Sequence, residues 1–352
     1  MAPSLNVDNH KLMYHPKRVS EWQNNGDNFP IYVEIGPTNN CNHKCTFCAL
    51  DYLENGSVYL DKNVMARNLE DMGQHGLKSI MFAGEGEPLL HKDIGYFTQK
   101  AKESGIDVSI TSNGIPFGKH KREECLPNLS WIRFSIDSGS SENYAMVHGT
   151  NKDDFEKLMG NLEEAVKFRD KHNLGITIGT QFLMIPQNVG EAGKLAERLS
   201  GIGIDNLQIK PYSHHPHSLN NLVVDPSVYD SLEESLMRFN SSNFHVLFRG
   251  ATKQRIETGR NYDVCNGLSF FSLIDATGNV TPCNMFYNNP EFTFGNINDN
   301  LFSDIWKSHK RKEVIQKIND QGISDCREGC RLDVINRYLG RLKNPESHDN
   351  FI

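Results

Sequence analysis

Between residue 31 and about residue 240 the chain alternates two hydrophobic patterns. Six short runs rich in β-branched and aromatic residues, IYVEIGP (31–37), KSIMFAG (78–84), DVSITSN (107–113), WIRFSID (131–137), ITIGTQFLMI (176–185) and NLQIKPY (206–212), are bounded by Gly, Pro, Asn or Asp and predict buried strands. Between them lie stretches of helical period. In DDFEKLMGNLEEAVKFRDKH, Phe155, Leu158, Leu162 and Val166 recur at steps of three and four and form one apolar face. Strand followed by helix, repeated, predicts an α/β fold whose parallel sheet is built with right-handed crossovers. Ligands of such sheets gather at the carboxyl ends of the strands.

Composition narrows the class. The 352 residues, 38% of them hydrophobic, are enough for a large core, and a net charge of −7 with no basic stripe argues against nucleic acid as a partner. No apolar run reaches the roughly 18 residues of a membrane span. The start MAPSLNVDNHKLMYH lacks the basic and apolar regions of a secretory signal, so a cytoplasmic protein is expected. In a reducing compartment clustered cysteines point to metal rather than disulfides. Seven of the eight fall in two groups, Cys41, Cys45 and Cys48, then Cys265, Cys283, Cys326 and Cys330. Cys125 stands alone and reads as a packing residue on a helix facing away from the barrel interior.

The first group, CNHKCTFC, directly follows the first predicted strand. Three thiols are one short of a structural zinc site and suit a metal with an open coordination position. This Cys-x3-Cys-x-aromatic-Cys run resembles the signature of the radical S-adenosylmethionine (SAM) enzymes. The resemblance implies that Cys41, Cys45 and Cys48 hold three irons of a [4Fe–4S] cluster, that SAM binds the fourth, and that SAM is cleaved reductively to a 5′-deoxyadenosyl radical. It places Phe47 against the adenine. FAGEGEPLL (82–90) resembles the family's Gly-Gly-Glu-Pro motif, with Gly84 in the loop and Glu87 accepting hydrogen bonds from the SAM amino group, although Glu85 stands where many members have Gly. By the same resemblance Asn113 in TSNG, and Ser135 and Asp137 in SIDSGSSENYAMVHGT, contact the methionine carboxylate and ribose. Many relatives have Arg-Gly where this chain has His148-Gly149, so an arginine clamp is not expected here.

The second group, with GNVTPC ending at Cys283, CREGC at 326–330 and FGNINDNLFSDIW between them, resembles the auxiliary-cluster domains called SPASM and twitch. A full SPASM domain carries more cysteines and two clusters, so four imply one fully ligated [4Fe–4S] cluster. A four-cysteine zinc ribbon would favour two close pairs, and only Cys326 and Cys330 make one. The implied architecture is a partial (β/α)6, TIM-like barrel at 31–240, a small auxiliary-cluster domain at 241–340, a lead-in at 1–30 and a tail at 341–352. The implied cofactors are two [4Fe–4S] clusters and SAM, with reduced flavodoxin or ferredoxin as electron donor.

Full thiolate ligation of the second cluster points to electron transfer. Relatives with one such cluster include aminocyclitol dehydrogenases and sugar epimerases. Epimerisation needs a thiol to return a hydrogen atom, and Cys125 is expected outside the barrel, so oxidation of an alcohol ranks first. Peptide-modifying relatives often carry a leader-binding domain, which the thirty residues before the first strand are too few to supply. A small sugar or aminocyclitol-like substrate is therefore expected, with sugar epimerisation or peptide modification as alternatives. A non-catalytic regulator would need a basic recognition element. IKPYSHHPHS (209–218) follows the sixth strand, and Lys210, Tyr212, His214 and His215, with His217, are candidate binding and proton-transfer groups, as is Arg249 in VLFRG. A solvated polar loop is the alternative reading for each.

Overall fold

The computed structural model describes residues 9–351. All six predicted strands form: β1 (Tyr32–Ile35), β2 (Ser79–Phe82), β3 (Asp107–Ser112), β4 (Trp131–Ser135), β5 (Thr177–Met184) and β6 (Asn206–Pro211). They pair in parallel in that order. A seventh parallel strand, β7 (His245–Phe248), adds to β6 beyond residue 240. Only Val246 of its four residues is buried, so no buried run marks it in the sequence.

The other edge is supplied from the C-terminal segment. β8 (Phe271–Ile274) pairs in parallel with β1, and β9 (Asn279–Thr281) and β10 (Gly295–Asn296) continue antiparallel beyond it, so one sheet runs β10-β9-β8-β1-β2-β3-β4-β5-β6-β7. This is the partial barrel expected of the α/β pattern, with the C-terminal segment built onto its first strand.

Helices cover the outer face. The helix Asp153–Lys171 buries Phe155, Leu158, Leu162 and Val166, the face that the sequence pattern marked. The helix Lys62–Gln74 begins at Asp61, whose carboxylate accepts the Asn63 and Val64 amides, and buries Met65, Leu69 and Met72. Cys125 is fully buried at the end of Lys119–Cys125, a helix that packs on Ile94–Glu103 in this outer layer.

Strand alternation then sends a second set of side chains inward. In β4, Ile132 and Phe134 are buried under the helices while Trp131 and Arg133 face the barrel interior; in β6, Leu207 and Ile209 point out, and Gln208 and Lys210 line the inside. At the amino ends of the strands, Leu12, Val19, Trp22, Ile31, Phe270 and Leu339 form a small separate core. It ties the helix Pro16–Asn25 to the helix Asp333–Lys343. Among the described residues no helix is long and apolar enough to cross a membrane.

Candidate active site

The loop after β1 carries Cys41, Cys45 and Cys48, and it is held from several sides. Its base is closed by the Thr38–Tyr59 bridge and by the Thr38 hydroxyl donating to the Val58 carbonyl at 2.7 Å. Its far side docks on the end of the helix Ser141–His148, where the Lys44 amide donates to the His148 carbonyl at 3.1 Å and the Thr46 amide to Val147 at 2.9 Å. The Glu87 amide donates to the Asn40 carbonyl at 2.8 Å. Two glycines make these approaches possible. A Cβ on Gly86 would lie 2.4 Å from the Thr38 carbonyl oxygen, and one on Gly149, whose φ is +57°, would lie 2.3 Å from that of Lys44. Burial, with the charge of Glu87 and then of a neighbouring thiol adding to it, pushes Cys41 up to about 11, and burial with neighbouring thiols and Asp137 pushes Cys45 well above the ordinary thiol range. Thiols so crowded and desolvated ionise readily only when a cation takes the charge.

Glu87 is buried beneath this loop. One carboxylate oxygen accepts from the Leu89 amide at 2.9 Å and the Ser112 hydroxyl at 2.8 Å, and the other accepts from the Asn113 amide at 2.7 Å. Burial still outweighs these donors and raises its pKa to about 7. The Asn113 side chain donates to Asn42 in the cysteine loop at 2.8 Å. Gly84 adopts φ +118°, and Ser135 closes β4 beside Gln181. Asp137 is buried, accepts from the Leu183 amide and is raised to about 7 by burial. The Asp137 amide donates to His148 Nε2 at 3.1 Å, and His148 Nδ1 lies 3.4 Å from Cys45 Sγ. His43, lowered to about 4 by burial, completes a His43–Cys45–His148 group whose ligand atoms lie within 4.8 Å of one another. Phe47 is half-buried and meets the His148 ring edge-on at 5.4 Å.

Glu85 leaves this loop in the opposite direction. One oxygen accepts from the Ala276 amide at 2.9 Å, in the turn between β8 and β9, while the other is buried without a partner; burial raises the group to about 8. Beyond it, Cys265, Cys283, Cys326 and Cys330 come together. Burial first, then the other thiols, raises Cys265 to about 12 and Cys283 well above the ordinary range. The Asn336 amide group donates to Cys265 Sγ at 3.3 Å and the Leu332 amide to Cys330 Sγ at 3.3 Å.

A cavity of about 470 Å³ runs through the barrel from Asn9–Lys11 at the amino ends of the strands to Cys283 and Cys330 at the other. Arg133, Gln181, Gln208, Lys210, Arg249, Arg327 and Arg331 are among its walls.

Family models decide what this arrangement is. The radical SAM superfamily model matches residues 35–199, and the SPASM iron–sulfur cluster-binding domain matches residues 265–331. The chain belongs to the radical SAM superfamily and carries a SPASM domain. It is 22% identical to the tungsten-containing aldehyde ferredoxin oxidoreductase cofactor-modifying protein of Pyrococcus furiosus, over 80% of this chain and 81% of that protein. It is 31% identical to GTP 3′,8-cyclase of Chlorobaculum tepidum, over 36% of this chain and 38% of that one. Streptococcus suis SuiB bound to the precursor peptide SuiA has the same fold, with TM-score 0.67 and 18% identity over 87% of this chain and 71% of SuiB. So has anSMEcpe with AdoMet and the Kp18Cys peptide, with TM-score 0.59 and 18% identity over 82% and 83% of the two chains.

A radical SAM domain binds a [4Fe–4S] cluster and SAM, and a SPASM domain binds further iron–sulfur clusters. The residues present fit these groups. Each site offers soft sulfur donors, three on one constrained loop at the first and four gathered from three segments at the second, and His43 at the first is buried with neither ring nitrogen hydrogen-bonded.

Of the five groups singled out in residues 209–218, Lys210, in β6, alone lines the cavity. Its ammonium form is disfavoured, well below the ordinary lysine range, by burial and then by Arg327, Arg249, Arg133 and Arg331. Tyr212 turns to Asn220, donating at 2.5 Å, and His214 is exposed. His215 is buried with its ring stacked on Tyr52 at 5.4 Å, and burial lowers it to about 4. β6 ends at Pro211, and these three, just beyond it, are absent from the cavity walls. Residues that motif reading passed over are Arg133, Gln181, Gln208, Arg327 and Arg331. Part of the signal is present in the chain, because polar side chains alternate with apolar ones at Asn206, Gln208 and Lys210 of β6 and at Arg133 and Ser135 of β4, whereas Gly179 and Leu183 break the alternation around Gln181 in β5.

Proposed function

We propose that this radical SAM enzyme oxidises an alcohol carbon of a small, sugar-like molecule held in the barrel cavity. The supporting observation is that Lys210 and two SPASM cysteines, Cys283 and Cys330, line the same 470 Å³ cavity, a volume suited to a small metabolite. In this reading Cys41, Cys45 and Cys48 hold the first cluster, and Phe47, Gly84, Glu87, Asn113, Ser135 and Asp137 surround SAM. Cys265, Cys283, Cys326 and Cys330 hold a second cluster. When bound, these groups supply an electron to cleave SAM, a 5′-deoxyadenosyl radical that takes one hydrogen atom from substrate, and an acceptor for the electron that remains. The chain's own part is to orient the alcohol and take its proton. Lys210 Nζ suits that role because its surroundings favour the neutral amine. Hydrogen atom, electron and proton then leave the alcohol separately, and a carbonyl remains. Reduced flavodoxin or ferredoxin is the proposed electron donor, and the cytoplasm the proposed compartment.

The test is anaerobic incubation of reconstituted enzyme with SAM, a reductant and candidate sugars. The expected product is lighter by two hydrogens. A product of unchanged mass that gains one solvent deuterium would show epimerisation and overturn this reading. Peptide modification is the second reading, suggested by the fold shared with SuiB and anSMEcpe, which are seen with bound peptides. It predicts turnover of a peptide and none of free sugars.

A further inference from the structure

We infer that the molecule taken into this cavity carries a phosphate or carboxylate group, and that Arg133 is a principal residue receiving it. The inference rests on the reading that substrate occupies the barrel, and it adds the charge class.

The walls of the cavity include Lys11, Arg133, Lys210, Arg249, Arg327 and Arg331 against one carboxylate, Glu34. Some of this charge is already answered. Arg331 pairs with Glu34 and donates to the Tyr32 hydroxyl at 3.0 Å, and Arg327 donates to the Ser213 carbonyl at 2.6 Å. A fully thiolate-ligated [4Fe–4S] cluster at Cys283 and Cys330 would bring a net charge of about −2, close to Arg327 and Arg331. With Lys210 neutral as well, the positive charge of Arg133 on β4 still remains in the wall of the cavity.

Arg133 is the clearest case. It stands in the middle of β4, and its guanidinium partners are neutral: the Gln208 side-chain oxygen at 3.5 Å and the Thr111 hydroxyl at 3.3 Å, with Trp131 stacked at 5.3 Å. Its Nε is buried without a hydrogen-bond partner. Burial, followed by Arg249, lowers its pKa to about 10. Taking a guanidinium out of water without a counter-charge costs several kcal/mol, and a well-packed apolar residue would hold the strand better. An anion arriving in the cavity supplies what is missing, because the planar fork of arginine matches phosphate and carboxylate oxygens in pairs. The same field opposes an ammonium group, so a cationic aminocyclitol, which the sequence left open, is disfavoured on charge.

The experiment is anaerobic equilibrium binding to the reconstituted, SAM-loaded enzyme with four probes: inorganic pyrophosphate, citrate, neutral glucose and cationic glucosamine. At least one of the two anions should bind saturably, more weakly as salt is raised, with glucosamine the weakest of the four. The better anion distinguishes a phosphate-bearing from a carboxylate-bearing substrate. Arg133→Gln should weaken anion binding roughly tenfold or more while SAM affinity and iron content stay unchanged. Arg133→Lys, which keeps the charge, should recover part of it. If Arg133→Gln fails to fold, Arg133→Lys against wild type carries the comparison, since the fork alone should then account for a measurable loss. Anion binding no tighter than that of glucose, or binding untouched by both variants, would overturn the inference. Binding is read without turnover. Anion binding with a product of unchanged mass would therefore refute the oxidation and leave this inference standing, and the lighter product without anion preference would do the reverse.

Discussion

His148 Nδ1 lies 3.4 Å from Cys45 Sγ. Because its Nε2 accepts the Asp137 amide at 3.1 Å, and burial keeps the ring neutral, the proton sits on Nδ1 and points at the sulfur. Hydrogen bonds to cluster sulfurs raise the reduction potential. His148→Phe, which keeps a ring and loses the donor, should lower the potential of the first cluster with iron content retained. A redox titration followed by electron paramagnetic resonance measures it, and an unmoved potential would show that the contact is only packing.

Iron content checks the two cysteine groups. Reconstituted protein should hold about eight iron per chain, and replacing Cys41, Cys45 and Cys48 by Ala should leave about four. Zinc bound at the C-terminal group would remove the second cluster from this account.

Glu87→Gln should weaken SAM binding by roughly 1.5–3 kcal/mol, the size of a charge-assisted hydrogen bond, without loss of iron. Since the carboxylate also accepts from Leu89, Ser112 and Asn113, Ser112→Ala serves as the control for loop geometry. Weaker SAM binding in Glu85→Gln but not in Glu87→Gln would mean that the motif is aligned on the wrong residue.

Glu85 makes a prediction about pH. Its folded pKa of about 8 lies above the ordinary carboxylate value, so the stability it contributes is present at low pH and is lost as pH rises toward 8. His43 and His215, lowered to about 4, act oppositely and only below their ordinary range. Thermal unfolding of wild type and Glu85→Gln compared between about pH 6.5 and 8 isolates the carboxylate. The difference should shift steadily in favour of the variant, and parallel curves would count against the burial argued for this group.

Gly86→Ala should cost roughly 1–3 kcal/mol and impair iron loading, because its Cβ meets backbone carbonyls at 2.4 and 2.5 Å that have no room to move. Gly193→Ala, in the helix Ala192–Ile202 with no atom within 4 Å of the new Cβ, should instead gain about 0.5–1 kcal/mol. Calorimetry on both variants gives the comparison.

Local pattern carried much of this fold. Six strands and the buried face of Asp153–Lys171 were legible because alternation and helical period report burial, which is decided within a few residues. The spacing of Cys41, Cys45 and Cys48 was legible because all three lie in the single loop after β1. Asn113, named with Glu87 on the strength of the motifs, donates its side-chain amide to Asn42 in the cysteine loop, and the three donors to Glu87 were not foreseeable from the motif.

What the sequence by itself determined was therefore the barrel's layers, the place of the cysteine loop after β1 and the substitution of His148 for an arginine. Tertiary structure alone decided the contents of the cavity. β8 pairs with β1 across more than two hundred residues of chain, and that pairing brings Cys283, Cys330, Arg327 and Arg331 to the end of a barrel whose inward face already carried Arg133 and Lys210. Backbone hydrogen bonds between distant strands leave no local periodicity. Tertiary structure also sent His215 to Tyr52 and not into the barrel, since which way a loop turns after its strand depends on what packs against it.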